Sequence, residues 1–334
     1  MADRIKITAI GGGTGLSVLL RGVKRIENAD LTAVVSVADD GGSSGILRED
    51  LGMLPPGDIR SCLLALASEE EGMRELLAYR FKEGRLAGQN VGNLILAAAG
   101  DIYGNFENGI ERIGDILKVK GKVVPVSGEK MVLCAELENG NIVAGESNIP
   151  RVAVREKSRI ARVFLDSERV SVSASAREAI LNADIVLIGP GSFYTSVIPN
   201  FLTTGVVDAL GRSKSVKVYV GNVMTQPGET DDLDPSRHAE ILCEYMDPVR
   251  PDFIILNNHL LGAAELAKYT NDGATQLIPD DGDRRAFARL GLKPIEGGFI
   301  DVKKGYVRHD AVAVAEVVSR LAKDSGFPVS GFSV

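Results

Sequence analysis

The chain has 334 residues, 45% of them hydrophobic and 25% charged, enough apolar material for one large α/β core. A net charge of −7 leaves no broad basic field and disfavours sequence-independent nucleic-acid binding. No apolar run reaches the roughly 20 residues of a membrane span, residues 1–12 lack a signal peptide's apolar stretch, and Cys62, Cys134 and Cys243 lie far apart without a CxxC pair. A cytoplasmic protein with buried thiols is the expectation.

Residues 5–10 read as a buried parallel strand that runs into Gly11, Gly12, Gly13 and Gly15, after which Leu16, Leu19, Leu20 and Val23 recur at helical spacing. In this β-loop-α opening the amides from Thr14 onward begin a helix whose positive end favours an anion. The spacing is not GxGxxG and no lysine follows the glycines, which disfavours both a dehydrogenase fingerprint and a P-loop kinase. A tight turn without a ligand is the plain alternative.

Residues 31–37 form a second expected strand and lead into VADDGGSSG. Asp39 and Asp40 stand where Rossmann proteins place an acid for ribose hydroxyls; they could equally hold a hydrated Mg²⁺ against phosphate, or cap the turn locally. In PPGDIRSCLLALA, Asp58 is expected to cap a helix whose first turn carries Arg60, a residue suited to a phosphate, a carboxylate, or an ion pair with Asp58 or Asp40. GQNVGN repeats the design, with Asn90 and Asn93 able to donate amide hydrogens at a helix start.

From about residue 119 to 172, short alternating runs and the type I′ turn signal Asn139-Gly140 predict a small β-rich insertion. Strands follow at 184–188, 216–220 and 253–256, with helical stretches between several of them. The alternation predicts a doubly wound, mostly parallel α/β sheet, with residues 1–334 as a single domain.

GPGSFYTS supplies Gly189, Gly191 and Ser192, whose backbone amides and hydroxyl suit an anion. A nucleophilic Ser192 is disfavoured, because GPGSF is not GxSxG and no histidine is placed as its base. GNVMTQPGETDD adds the neutral contacts Asn222, Thr225 and Gln226 and the acids Glu229 and Asp231. Tyr269 ends the predicted helix GAAELAKY, where it could stack on a base, and Arg308 precedes a last helix at 311–321 with Asp310 as N-cap. A packed tyrosine and a solvated arginine are the plain alternatives.

GGGTG, VADDGGSSG with PPGDIR, GPGSFYTS and GNVMTQPGET together resemble the gluconeogenesis factor family, within the superfamily of the 2-phospho-L-lactate transferase, over nearly the whole chain. The resemblance implies a Rossmann-like three-layer fold. It also implies a regulator that binds a UDP-sugar such as UDP-N-acetylglucosamine and supports cell shape and peptidoglycan precursor supply on gluconeogenic carbon sources. On this reading Gly12, Gly13, Thr14, Gly191 and Ser192 hold the diphosphate, Gly11, Gly15 and Gly189 belong to the same binding loops, Asp39 or Asp40 meets the ribose or Mg²⁺, and Asn93, Asn222 and Thr225 add polar contacts. Tyr269 and Arg308 then contribute to recognising the uridine and the diphosphate, the tyrosine by stacking on the base and the arginine as a second anion-favouring point.

The alternative is a metal-dependent transferase of a phosphoryl-containing group, in which Asp39, Asp40 and Arg60 organise metal and charge; fold analogy alone carries it. A dinucleotide such as NAD(P) could occupy the same pocket. Cell-wall precursor enzymes and a second copy of the chain are the expected partners.

Overall fold

The computed structural model describes residues 4–68, 71–167, 169–303 and 305–327. The strands run β1 (Ile5–Gly11), β2 (Ala29–Val35), β3 (Lys122–Pro125), β4 (Leu133–Leu137), β5 (Ile142–Ala144) and β6 (Ile160–Leu165). They continue with β7 (Ile185–Ile188), β8 (Val216–Val220), β9 (Phe253–Asn257), β10 (Lys293–Gly297), β11 (Ile300–Lys303) and β12 (Tyr306–His309). Seven of them build one parallel sheet in the order β10-β9-β8-β7-β1-β2-β3. The strand order reverses between β1 and β7, and in open sheets of this kind the crevice at that reversal, outside the carboxyl ends, is where ligands bind.

The apolar runs of the sequence follow from burial on both faces. Along β1, Ile5, Ile7 and Ala9 enter one core and Ile10 the other; along β7, Ile185 and Leu187 enter the first and Val186 and Ile188 the second. A pleat with period two sends alternate side chains to opposite faces, so a strand covered on both sides is apolar at most positions, and the buried Thr8 of β1 satisfies its hydroxyl on the Ala179 carbonyl at 2.9 Å.

Helices α1 (Gly13–Val23), α2 (Gly42–Leu51), α3 (Gly57–Leu66), α4 (Glu71–Ala78), α5 (Val91–Ile102) and α6 (Phe106–Ile116) precede β3. Of these, α1, α3, α5 and α6 pack on the first face. Then come α7 (Ile149–Glu156), α8 (Ala174–Leu181), α9 (Pro199–Leu202), α10 (Val206–Arg212), α11 (Pro235–Tyr245), α12 (Ala263–Asn271), α13 (Asp281–Leu290) and α14 (Ala311–Asp324). Here α8, α10, α11 and α13 cover the second face, whereas α14 returns to the first beside α1.

Asp310 caps α14 as expected, accepting from the amides of Val312 at 2.9 Å and Ala313 at 3.0 Å. Gly22 lets α14 come that close to α1: a Cβ there would stand 1.8 Å from the Ala311 carbonyl oxygen. Gly22→Ala should therefore lower stability by about 1–3 kcal/mol through overpacking. Urea denaturation reads this as a lower midpoint, and an unchanged midpoint would mean that the two helices separate freely.

The expected doubly wound α/β fold is present, with corrections in detail. The β-rich insertion is narrower than residues 119–172. Residues 122–125 belong to the main sheet as β3, and the separate antiparallel sheet, ordered β5-β4-β6, lies within 133–165 and carries α7. The hairpin at Asn139-Gly140 is not type I′, because Gly140 alone takes a positive φ, +85°. Gly140 N–H donates to the Leu137 carbonyl at 2.8 Å, the geometry of a type I turn closed by a left-handed glycine. Strands β3 and β10 carry only short apolar stretches and escaped the periodicity reading. Among the described residues no helix is long and apolar enough to cross a membrane.

Candidate functional site

The loops after β1 and β7 meet at the strand-order reversal. Their contact depends on Gly15, where a Cβ would stand 2.6 Å from the Pro190 carbonyl oxygen and 2.9 Å from the Gly191 Cα. Beside this contact lies a cavity of about 550 Å³. Thr14, Gly15, Gly191, Ser192, Asn222 and Thr225 line it on the sheet side, and Tyr269 and Arg308 line it from α12 and β12. The structure thus brings the glycine loops and the two C-terminal candidates to one chamber.

Several of these residues already have partners that define what they can offer. Ser192 Oγ accepts from Gln226 Nε2 at 2.9 Å, which leaves its proton free to donate. Asn222 Nδ2 donates to the Gly191 carbonyl at 3.0 Å and braces the loop. The Thr225 hydroxyl accepts from the Thr275 amide at 2.8 Å and ties the loop after β8 to the segment after α12. Tyr269 Oη accepts from the Val307 amide at 2.6 Å, fixing its ring against β12. Arg308 is exposed, its guanidinium 5.3 Å from the centre of the Tyr306 ring. His309 is buried, bonded through Nε2 to the Gly221 carbonyl at 3.0 Å, and its pKa is pushed down to about 4 by burial, so it stands there as neutral imidazole.

The remaining candidates lie away from the cavity lining. Gly11 ends β1, and its carbonyl accepts from the Ser36 amide at 2.8 Å. Gly189 takes φ +71° before Pro190 and shapes the turn. Gly13 takes φ +65°, and its amide donates to Asp58 Oδ2 at 2.6 Å. This corrects the expectation for Asp58: Pro56 is the N-cap of α3, while Asp58, in the first turn of α3, reaches across to the start of α1. Gly12 makes room for it, since a Cβ at Gly12 would stand 2.7 Å from the same carboxylate oxygen.

Asp39, Asp40, Arg60 and Asn93 likewise fall outside the cavity lining. Asp39 Oδ1 accepts from the Gly41 amide at 2.9 Å, the local turn cap, and Asp40 Oδ1 accepts from the Ser147 amide of the insertion at 2.9 Å. Arg60 Nη1 donates to Asn93 Oδ1 at 3.1 Å, and Asn93 Nδ2 donates to Ser43 Oγ at 3.2 Å, so the asparagine is spent inside the protein. Asn90 caps α5 as its position suggests, accepting from the Asn93 amide at 3.1 Å. Among the described residues no three His, Cys, Asp or Glu side chains are grouped to hold a metal ion.

Sequence reasoning missed Glu146 outright and, for Glu229 and Asp58, missed the burial, which no local signal reveals. Glu229 is 7% exposed, accepting from the Tyr194 amide and the Thr195 hydroxyl, each at 3.2 Å, and burial pushes its pKa up to about 7. Glu146, on the insertion, hydrogen-bonds Thr195 and is pushed up to about 8 by burial and then by Asp39. Asp58 is pushed up to about 6 by burial and then by Asp39.

A carboxyl raised by folding holds its proton more tightly in the folded chain than in the unfolded one. The folded state therefore loses relative stability as pH climbs from about 4 to 8 through these three groups. Glu146→Gln keeps a donor for Thr195 without the charge. It should raise the melting temperature at pH 8.5, leave it nearly unchanged at pH 5, and flatten the slope between them. Equal shifts at both pH values would show that Glu146 titrates normally.

Comparison with known proteins places the chain among relatives that match it over nearly its whole length. A putative gluconeogenesis factor of Clostridium acetobutylicum is 45% identical over 96% of this chain and 70% of its own. The gluconeogenesis factor of Bacillus subtilis is 41% identical over 97% of this chain and 100% of its own. A crystal structure of a UPF0052 family member from Bacillus halodurans superposes with a TM-score of 0.90 at 41% identity, covering 94% of this chain and 99% of that one. The family model described as 2-phospho-L-lactate transferase CofD matches residues 7–300, and the chain belongs to that family.

Proposed function

We propose that this protein binds a nucleotide sugar of the UDP-N-acetylglucosamine type and acts as a cytoplasmic regulator of cell-wall precursor supply during growth on gluconeogenic carbon. The observation that carries the reading is the cavity at the strand-order reversal, where the start of α1 at Thr14 and Gly15 faces Tyr269 and Arg308 across about 550 Å³. Helix-start amides and the Ser192 hydroxyl suit a diphosphate, and an arginine adds the positive charge. Tyr269 offers a ring for one base. Among the described lining residues it carries the one phenyl-type ring, which favours a ligand with one base over a dinucleotide with two. The regulatory role is carried over from relatives named gluconeogenesis factors, with enzymes of precursor synthesis as partners.

Calorimetry with UDP-N-acetylglucosamine tests the reading. Saturable one-site binding, with the ligand recovered chemically unchanged after incubation with Mg²⁺ and alcohol acceptors, is the expected result; absence of binding would overturn it. A phospho-group transferase is the second reading, favoured by the match to the transferase family model over residues 7–300. Turnover of the ligand in the same incubation would establish it.

A further inference from the structure

The cavity has a third side that neither the base nor the diphosphate explains. Pro150 reaches it from α7 of the insertion, and Pro227 and Glu229 reach it from the loop after β8. No cation and no aromatic ring belongs to this group of three. The two segments meet at Gly228, which has φ +81° and where a Cβ would stand 2.3 Å from the Pro150 carbonyl oxygen. The insertion is held against the main body by the Ser147 amide on Asp40 at 2.9 Å and by Arg159 Nη2 on Asp232 at 2.6 Å.

Glu229 is oriented before any ligand arrives. One carboxylate oxygen accepts from the Tyr194 amide and the other from the Thr195 hydroxyl. A carboxylate has four acceptor positions, and with the Thr195 backbone amide as a third donor one of them remains.

We infer that this side of the cavity is a hexose subsite, in which the ring on the distal phosphate lies between Pro150 and Pro227 and donates a hydroxyl hydrogen to Glu229. The inference rests on the nucleotide-sugar reading. A pyranose presents apolar C–H faces and a rim of O–H donors, which matches two proline rings and one fixed acceptor. A second nucleoside would find no ring to stack on, and an acidic substituent would find no cation. The raised pKa of Glu229, about 7, lets the group sit near a diphosphate without a full opposing charge at neutral pH. The loop after β8 and the insertion, on this account, select the sugar together.

The test compares calorimetric affinities for UDP, UDP-N-acetylglucosamine, its 4-deoxy and 6-deoxy analogues and NAD⁺, on the full chain and on Glu229→Gln. The wild type should bind the UDP-sugar at least about tenfold more tightly than UDP, the worth of one charge-assisted hydrogen bond or more. At least one deoxy analogue should lose most of that advantage. In Glu229→Gln, with its melting temperature checked, the sugar-to-UDP ratio should fall towards one. Equal wild-type affinity for UDP and the UDP-sugar overturns the subsite while leaving the nucleotide reading intact, and NAD⁺ binding more tightly than the UDP-sugar does the same. Equal losses for both ligands in Glu229→Gln would overturn it too, showing that the residue only holds the loop. No wild-type binding of UDP or any UDP-sugar would remove the nucleotide reading itself. Should the variant not fold, the deoxy analogues on the wild type decide alone: full affinity for both overturns the subsite.

Discussion

Gly15→Ala should reduce affinity for UDP-N-acetylglucosamine by about a hundredfold, a loss of about 3 kcal/mol. The added methyl would stand 2.6 Å from the Pro190 carbonyl oxygen and 2.9 Å from the Gly191 Cα, both backbone atoms that cannot swing aside as a side-chain tip does. The collision separates the loops after β1 and β7, which together line the cavity through Thr14, Gly15, Gly191 and Ser192. Amides that converge on one diphosphate then point past it. The same overpacking should lower folding stability by about 1–3 kcal/mol, so the variant is assayed below its melting transition. Wild-type affinity in a folded Gly15→Ala protein would mean that the ligand does not use these two loops.

The second large effect is expected at the opposite wall. Tyr269→Ala and Arg308→Ala should each weaken UDP-sugar binding by about 1–3 kcal/mol, the range for a lost base stack or a lost charge-assisted hydrogen bond. Tyr269 has two jobs in the structure, lining the cavity and receiving the Val307 amide at 2.6 Å, so alanine removes both. Tyr269→Phe separates them, since it keeps the ring and loses the brace. Near-wild-type affinity in Tyr269→Phe with a clear loss in Tyr269→Ala assigns the effect to stacking. For Arg308, the loss should shrink as salt rises, because the residue is exposed and its charge is screened. If both alanine variants bind as the wild type does, the ligand site stops at the glycine loops.

Much of the fold is legible in the chain because strands covered on both faces are apolar at most positions. Residues 185–188 show this pattern throughout and 216–220 show it at every position but Lys217, and both match their strands closely. Strand β10, Lys-Pro-Ile-Glu-Gly, does not: it lies at the edge of the sheet, where one side meets solvent and the alternation is diluted. The cavity-lining glycines are legible for a different reason, since only residues without Cβ permit the loop contact at Gly15 and Gly191. The roles of Asp39, Asp40, Asn93 and Arg60 are not legible, because a polar side chain near a helix start can face a ligand or its own neighbours. Which of these it does depends on elements distant in sequence, such as the Ser147 amide that receives Asp40. Placement of Tyr269 and Arg308 at the cavity came from resemblance joined to position, and the structure brings both there; the burial of Glu146 and Glu229 had no such guide.

The order of the sheet has a consequence for how the protein comes to exist as a chain. β1 is central, yet one of its two neighbours is β7, whose Ile185 pairs with Ile7, and α1 is covered by α14. During synthesis the edge of β1 that will meet β7 stays open until well over half of the residues have emerged, and pairings of such high sequence separation form slowly. The two glycine loops that frame the cavity cannot touch before then, and Tyr269, Val307 and Arg308 arrive later still. A ribosome-bound fragment ending before β7 should therefore expose a sticky parallel-strand edge and depend on holdase chaperones. The cavity would then be completed in one late step, after translation has passed residue 308.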